Sequence, residues 1–266
     1  MTFAFPSTTL FGAAGYLVER CLLNRSDTSE VLALLVASKD RLHGLLEQWL
    51  GEAVPDNAAF GNHQARIAEY EGRGLPKALR HYLTGEFDLE TRLDTRICAL
   101  LAAPKVRDVL VNLLETPRYY IHYPPMVRFK TADAPGSILP PHQDFAYNTH
   151  LRGFITIWVP LTDIDDDVGG IVVYPGSHRG ERVDHSPSGP WAHGLKEQIA
   201  GMYTKQAIHM HVGDALLFPP LLIHESAPHR STKRLRYSID FRVFGRPEDT
   251  TKSYFDPFEN QVVRLH

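Results

Sequence analysis

From Thr116 onward the chain breaks into short apolar runs separated by Pro and Gly turns, and this restricts the fold more than any other feature. The runs cover 119–123, 126–131, 142–147, 154–161, 171–174, 208–212, 215–218, 222–226 and 235–243. Runs of this length, rich in β-branched and aromatic residues and bounded by turn formers, predict strands. About nine in succession predict a sandwich or barrel. Upstream the period changes. Val31, Leu34, Leu35, Leu42, Leu45, Leu46 and Trp49 recur at helical spacing through Leu50, and Asp27-Thr28-Ser29-Glu30 has capping-box spacing, which puts a helix start at Asp27. Further helices are expected over 57–70, 75–83, 89–103 and 105–115. No flexible tract separates the halves, so residues 1–266 read as one domain: helical support over 27–115, a β-core over 118–245 and a polar tail over 246–266 that wraps the surface.

Two strands alternate in a way that bears on function. In 235–243, Leu235, Tyr237, Ile239, Phe241 and Val243 share one face, with Arg236, Ser238, Asp240 and Arg242 on the other. In 154–161, Ile155, Ile157, Val159 and Leu161 oppose Thr156 and Trp158. Period-two alternation sends these sets to opposite sides of a sheet. If helices cover the apolar face, the polar face lines the interior of the β-structure and forms a polar cavity.

Composition narrows the function classes. The 28 Lys and Arg against 31 Asp and Glu leave a net charge of -3, without the basic excess of a nucleic-acid binder. Cys21 and Cys98 cannot build a disulfide framework and read as reduced, buried residues of an intracellular protein. The N-terminus lacks an early basic residue and carries Pro6, unlike a signal peptide. No apolar run approaches the ~20 residues of a membrane span. The expectation is a cytoplasmic protein with neither nucleic-acid nor membrane partners.

His142-Gln143-Asp144 is the one HxD in the chain. About one would arise by chance at this composition, so the triplet alone proves nothing. On a strand, however, residues i and i+2 project to one side. An imidazole and a carboxylate so placed make two-thirds of the 2-His-1-carboxylate set that leaves one face of Fe(II) open. A third ligand must come from a distant strand, and His224, 80 residues after Asp144, ends an apolar run. Arg236 follows 12 residues later on the inward polar face. Its forked cation suits a distal carboxylate, and Ser238 on the same face can add a hydroxyl.

The stretches PPHQDFAYN (140–148), ITIWVPLTDID (155–165), GGIVVYPGSHRG (169–180) and VGDALLFPPLLIHESAPHRSTKRLRYSIDF (212–241) resemble the phytanoyl-CoA dioxygenase group of Fe(II)/2-oxoglutarate-dependent oxygenases. With GYLVERCLL (15–23), the resemblance covers roughly 11–246. It implies a mainly β fold with flanking helices: a double-stranded β-helix (jelly-roll, cupin-like) core with an N-terminal helical layer. It further implies His142, Asp144 and His224 as iron ligands and Arg236 on the distal carboxylate of 2-oxoglutarate. Trp158, Ser226 and Gln143 match positions that contact this cosubstrate, and Met126 sits near another such position. The implied reaction takes a small organic substrate and O2, hydroxylates the substrate and releases succinate and CO2, with ascorbate as an accessory reductant. Asp144 occupies the position that a radical halogenase leaves free for halide, which favours hydroxylation. One departure is His229, where the family often has Asn; the hairpin also looks one residue longer, which leaves Arg234 as a rival to Arg236.

Other readings use the same residues. The same oxidising centre can desaturate, cyclise or epimerise. A non-catalytic cupin-like protein would hold the metal without turnover, and a zinc hydrolase could use the same three ligands; neither explains Arg236. Arg128 and Lys130 share a strand face and suit either an anionic ligand or a solvated edge. His209 and His211 read as bystanders, 163–167 as a solvated turn and 175–178 as a structural turn. Substrate contacts are expected on the loops 132–141, 147–153 and 180–207, the last carrying Trp191, His193 and Lys196. They do not name a substrate, and oligomeric state is not legible.

Overall fold

In a computed structural model describing residues 11–55, 58–131, 138–183 and 201–264, the chain opens with a short strand, β1 (Leu17–Glu19). Helix α1 (Arg25–Leu50) follows. Its N-cap is Asn24, not Asp27. Asp27 instead sits in the first turn, where its carboxylate accepts from Asn24 and Ser26 and complements the helix dipole. Gly51 ends the helix in the left-handed region at φ 76°, its N–H donating to Glu47 O, a conformation glycine adopts without strain.

Shorter helices come next: α2 (Ala58–Ala65), α3 (Ile67–Gly72), α4 (Lys77–Leu83), α5 (Leu89–Arg92), α6 (Thr95–Ala99) and α7 (Pro104–Leu114). The single helix expected over 89–103 is split because Asp94 caps a new start, its carboxylate accepting from the Arg96 N–H. Cys98 is buried as expected, whereas Cys21 is exposed.

The β-half comprises β2 (Tyr120–His122), β3 (Met126–Lys130), β4 (Ile155–Pro160), β5 (Ile171–Val173), β6 (Gln206–Ala207), β7 (Ala215–Phe218), β8 (His224–Ser226), β9 (Arg236–Phe244), β10 (Tyr254–Asp256) and β11 (Gln261–Val263). The larger sheet runs β1-β7-β4-β9-β2-β10-β11, with β3 also on β9; the smaller runs β6-β5-β8. The named ladders are antiparallel. Two antiparallel sheets with flanking helices form the expected jelly-roll core.

Helices cover the apolar face of the larger sheet. Leu35, Leu42 and Leu46 of α1 and Leu110 of α7 join Ile155, Ile157, Ile239 and Phe241 in one buried cluster. Full burial of each such side chain contributes roughly 1.5–3 kcal/mol. The opposite face looks toward the smaller sheet, where Trp158, Leu216 and Phe218 meet Val173. The inverted arrangement inferred from strand alternation is therefore present.

Three readings need correction. The stretch 142–147 is not a strand: His142 makes an isolated bridge to His224, and Asp144–Tyr147 curls into a 3-10 turn. The Asn148 side chain closes that turn by donating to Asp144 O at 2.9 Å. The run 208–212 gives only a bridge between Met210 and Ile164, beside the short β6. The tail does not merely wrap the surface, since β10 and β11 extend the larger sheet and Phe255 is fully buried. Trp191, His193 and Lys196 lie outside the described residues. No described helix is long and apolar enough to cross a membrane.

Candidate active site

The two histidines are bridge partners, His142 lying beside His224 of β8 in the smaller sheet. Mutual backbone bonds, His142 N–H to His224 O at 2.9 Å and His224 N–H to His142 O at 3.0 Å, set their register. Their ring centroids lie 4.2 Å apart. Each Nδ1 meets a backbone carbonyl two residues upstream, Pro140 O at 2.8 Å and Leu222 O at 3.0 Å. These bonds place the proton on Nδ1 and leave the Nε2 lone pairs pointing inward, the tautomer a metal ligand needs. The Nε2 atoms stand 3.9 and 3.8 Å from Asp144 Oδ1. Among the described residues, His142, Asp144 and His224 form the one cluster able to hold a metal, its ligand atoms within 4.8 Å of one another.

The carboxylate is fixed on both oxygens. Arg242 Nη2 donates to Oδ1 at 2.8 Å and Thr156 Oγ1 to Oδ2 at 2.5 Å. Burial opposes ionisation of Asp144, but Arg242, the two histidines and Thr156 outweigh it and hold the pKa to about 2. Burial, reinforced by His224 and opposed by Asp144, pushes His142 down to about 3. At neutral pH the pair is therefore carboxylate and neutral imidazole, the protonation states that bind a metal.

The cluster opens on a cavity of about 440 Å³. Arg236 lines it and is 5% exposed. Its Nη1 donates to Gly169 O at 2.9 Å and Gly170 O at 3.4 Å, and its Nε has no partner among the described residues. Gly169 is required there, since a Cβ would fall 1.9 Å from Pro228 O. The Arg236 guanidinium lies 5.9 Å from the Trp158 ring. Burial lowers the Arg236 pKa to about 10 against the pull of Asp240, with Arg128 adding to the shift, so it stays charged at neutral pH. No described carboxylate lies within ion-pairing distance of it. The rival, Arg234, is exposed and paired with Asp165 at 2.8 Å.

Met126, Trp158 and Ser226 line the same cavity. Ser238 is fully buried on the Arg236 face of β9, its hydroxyl unpartnered among the described residues. Of the predicted contacts, Gln143 and Ser238 are absent from the lining. The Gln143 amide binds Leu221 O at 2.9 Å and the Val183 N–H at 3.0 Å. With its neighbours on either side facing the cavity, the intervening side chain is directed away from it. Lys130 is 3% exposed and donates to Ala227 O, so it is no solvated edge charge; burial, then Arg236 and Arg128, lowers it to about 6. Arg128 pairs with Glu86 at 2.8 Å and Asp240 at 3.6 Å. His209 and His211 pair with Asp166 and Asp163 near the surface. His229, buried, pins the hairpin through Arg234 O at 2.8 Å. Thr156 and Arg242 escaped assignment in the sequence, although alternation already put them on the faces of Trp158 and Arg236.

A family model described as phytanoyl-CoA dioxygenase matches residues 15–237. The chain is 29% identical over 118 residues to the 1-deoxypentalenic acid 11-beta-hydroxylase of Streptomyces exfoliatus, covering 41% of this chain and 42% of that protein. It is 32% identical over 100 residues to the peroxisomal phytanoyl-CoA dioxygenase of Bos taurus, covering 35% and 29%. The chain thus spans under half the length of these curated relatives. Among solved structures, EctD from S. alaskensis with 2-oxoglutarate and 5-hydroxyectoine is similar at a TM-score of 0.57 and 16% identity, over 95% of this chain and 81% of that one. The alpha ketoglutarate dependent epimerase SnoN from nogalamycin biosynthesis is similar at 0.55 and 15%, over 90% and 83%. At such identities the likeness is one of fold.

Proposed function

Since the chain belongs to the phytanoyl-CoA dioxygenase family, we propose that it is a 2-oxoglutarate- and Fe(II)-dependent dioxygenase that hydroxylates a small organic molecule. The observation that carries this reading is the presence in one cavity of a His-Asp-His cluster and a buried arginine with no acidic partner among the described residues. A metal binder or zinc hydrolase has use for the first and none for the second. The printed names of the curated relatives, a hydroxylase and a dioxygenase, point the same way.

The residues present suit the cofactor. His142, Asp144 and His224 would hold iron through two Nε2 atoms and Asp144 Oδ1, leaving the facing positions to a chelating keto acid and O2. Arg236 would grip the distal carboxylate of 2-oxoglutarate, offering the buried Nε that has no partner among the described residues. Trp158, Ser226 and Met126 would shape the surrounding wall, and the buried Ser238 hydroxyl lies on the same β9 face as Arg236. Bound there, iron and 2-oxoglutarate would supply the oxidising chemistry, with succinate and CO2 as co-products and one oxygen atom passing to the substrate.

The chain's own part is orientation and exclusion of water. Thr156 and Arg242 keep the Asp144 carboxylate in one rotamer, and the carbonyls of Pro140 and Leu222 keep both rings in one tautomer. His142→Ala, Asp144→Ala and His224→Ala should each lose Fe(II) binding and O2-dependent conversion of 2-oxoglutarate to succinate, with the unfolding transition retained. Full iron occupancy and turnover in any of them would remove that residue from the ligand set.

A further inference from the structure

The cavity continues past the metal cluster, away from Arg236, and binding of 2-oxoglutarate does not explain what lines that end. β9 gives the scale: Arg236 and Arg242 are six residues apart on one face, roughly 20 Å at the rise of a strand. Lys130 of β3 opposes Arg236, whereas β2 flanks β9 beyond residue 242. At the Arg242 end stand His122, His150 and Arg92, all lining the cavity.

These three side chains are short of partners. The rings of His122 and His150 lie 4.7 Å apart, and His122 Nδ1 and His150 Nε2 are buried with no hydrogen-bond partner among the described residues. Burial, then His150, Arg242, Arg92 and Lys252, pushes His122 down to about 3. Burial and Lys252 lower His150 as well. Both rings are neutral at pH 7, and each therefore offers one N–H. Arg92 spends its Nε on Pro125 O at 2.8 Å, and no described carboxylate pairs with it. The nearby acids are engaged elsewhere, Glu86 and Asp240 with Arg128 and Asp144 with Arg242. Buried polar groups without partners carry a desolvation cost that a ligand can remove. The pair is no second metal centre, since among the described residues no third donor joins the two rings.

We propose that this end of the cavity binds a carboxylate carried by the substrate, with Arg92 supplying the charge and His122 and His150 an N–H each. One fixed cation and two directed donors match a planar monoanion, whereas a phosphate dianion calls for more cations. The substrate class is then a small carboxylic acid, held by its carboxylate so that a carbon of its body faces the iron ligands. This rests on the dioxygenase reading only for the word substrate.

The test is calorimetric titration, under argon, of the Fe(II) protein saturated with 2-oxoglutarate, so that the Arg236 end is filled. Cyclohexanecarboxylate, its primary amide and cyclohexylphosphonate serve as probes. The acid should bind at least tenfold more tightly than the amide. Arg92→Gln and His122→Gln should each bring the acid down toward the amide and leave the amide within twofold of wild type. Equal binding of acid and amide to the wild-type protein overturns the proposal, and that comparison needs no variant to fold. So does a preference that survives both substitutions, tighter binding of the phosphonate, or acid binding abolished by raising 2-oxoglutarate. The heat reports binding alone, and succinate is assayed separately once O2 is admitted to the Fe(II) protein with 2-oxoglutarate. Acid preference with no succinate formed would overturn the dioxygenase reading alone, and succinate formed with no acid preference this site alone.

Discussion

Asp144 receives a cation on one oxygen and a hydroxyl on the other, and the two supports do different work. Arg242 holds the carboxylate ionised but also repels a metal dication, so its removal would mix opposing effects. Thr156 is neutral and fully buried, and its loss isolates orientation. Thr156→Val should lower Fe(II) affinity about 10–100-fold, the usual cost of an outer support to a ligand, with circular dichroism unchanged; wild-type iron affinity would show that the hydroxyl positions nothing. Arg236→Ala should raise the 2-oxoglutarate requirement more than tenfold at constant iron content, given the ~2–5 kcal/mol that truncating a buried charge pair costs. Lysine should restore part, having charge without the fork. His122 sets a pH dependence. Its folded pKa of about 3 lies below the ordinary 6.5, so between these values the unfolded chain takes a proton that the folded chain refuses. Stability of the metal-free protein should fall as pH drops from 6.5 toward 3, by at most about 1.4 kcal/mol per pH unit from this group. Denaturant titrations at pH 7 and 5 should show that loss, and His122→Gln should reduce it.

At the scale of elements, the alternation in β4 and β9 and the helical period of α1 were readable because each is long enough to repeat its period several times. The iron-ligand candidates were readable for another reason: residue type and order, HxD then His then Arg, survive errors in local geometry. The geometry itself was not readable, since His142 and Asp144 reach one point through a bridge and a 3-10 turn, a bend set by Asn148 from four residues away. Strands of three residues, such as β1, β10 and β11, carry no period, and their pairing is decided by distant partners. Where the Gln143 amide bonds, at Leu221 and Val183, was not readable either, because a matched motif position says nothing about the side a side chain leaves from. The tail gives a direct check on the last two strands. Phe255 of β10 is fully buried in the main cluster, so Phe255→Ala should cost about 3–5 kcal/mol in denaturant unfolding. A loss below 1 kcal/mol would mean that the tail is only draped over the sheet.

For the whole molecule, the helices on the outer face of the larger sheet release its inner face from the core. That face can then carry Arg236, Ser238, Asp240 and Arg242 in a row beside the ligands. Everything proposed for function depends on that row and the His-Asp-His cluster taking iron and 2-oxoglutarate together. The most direct test is an anaerobic titration of 2-oxoglutarate into protein carrying one equivalent of Fe(II), followed by visible absorption. A keto acid that chelates the open face of a facial triad gives a weak metal-to-ligand charge-transfer band. The account predicts that this band grows to saturation and that Arg236→Ala shifts the titration to higher concentration. Iron-loaded, folded protein that develops no band at any concentration of 2-oxoglutarate would contradict it.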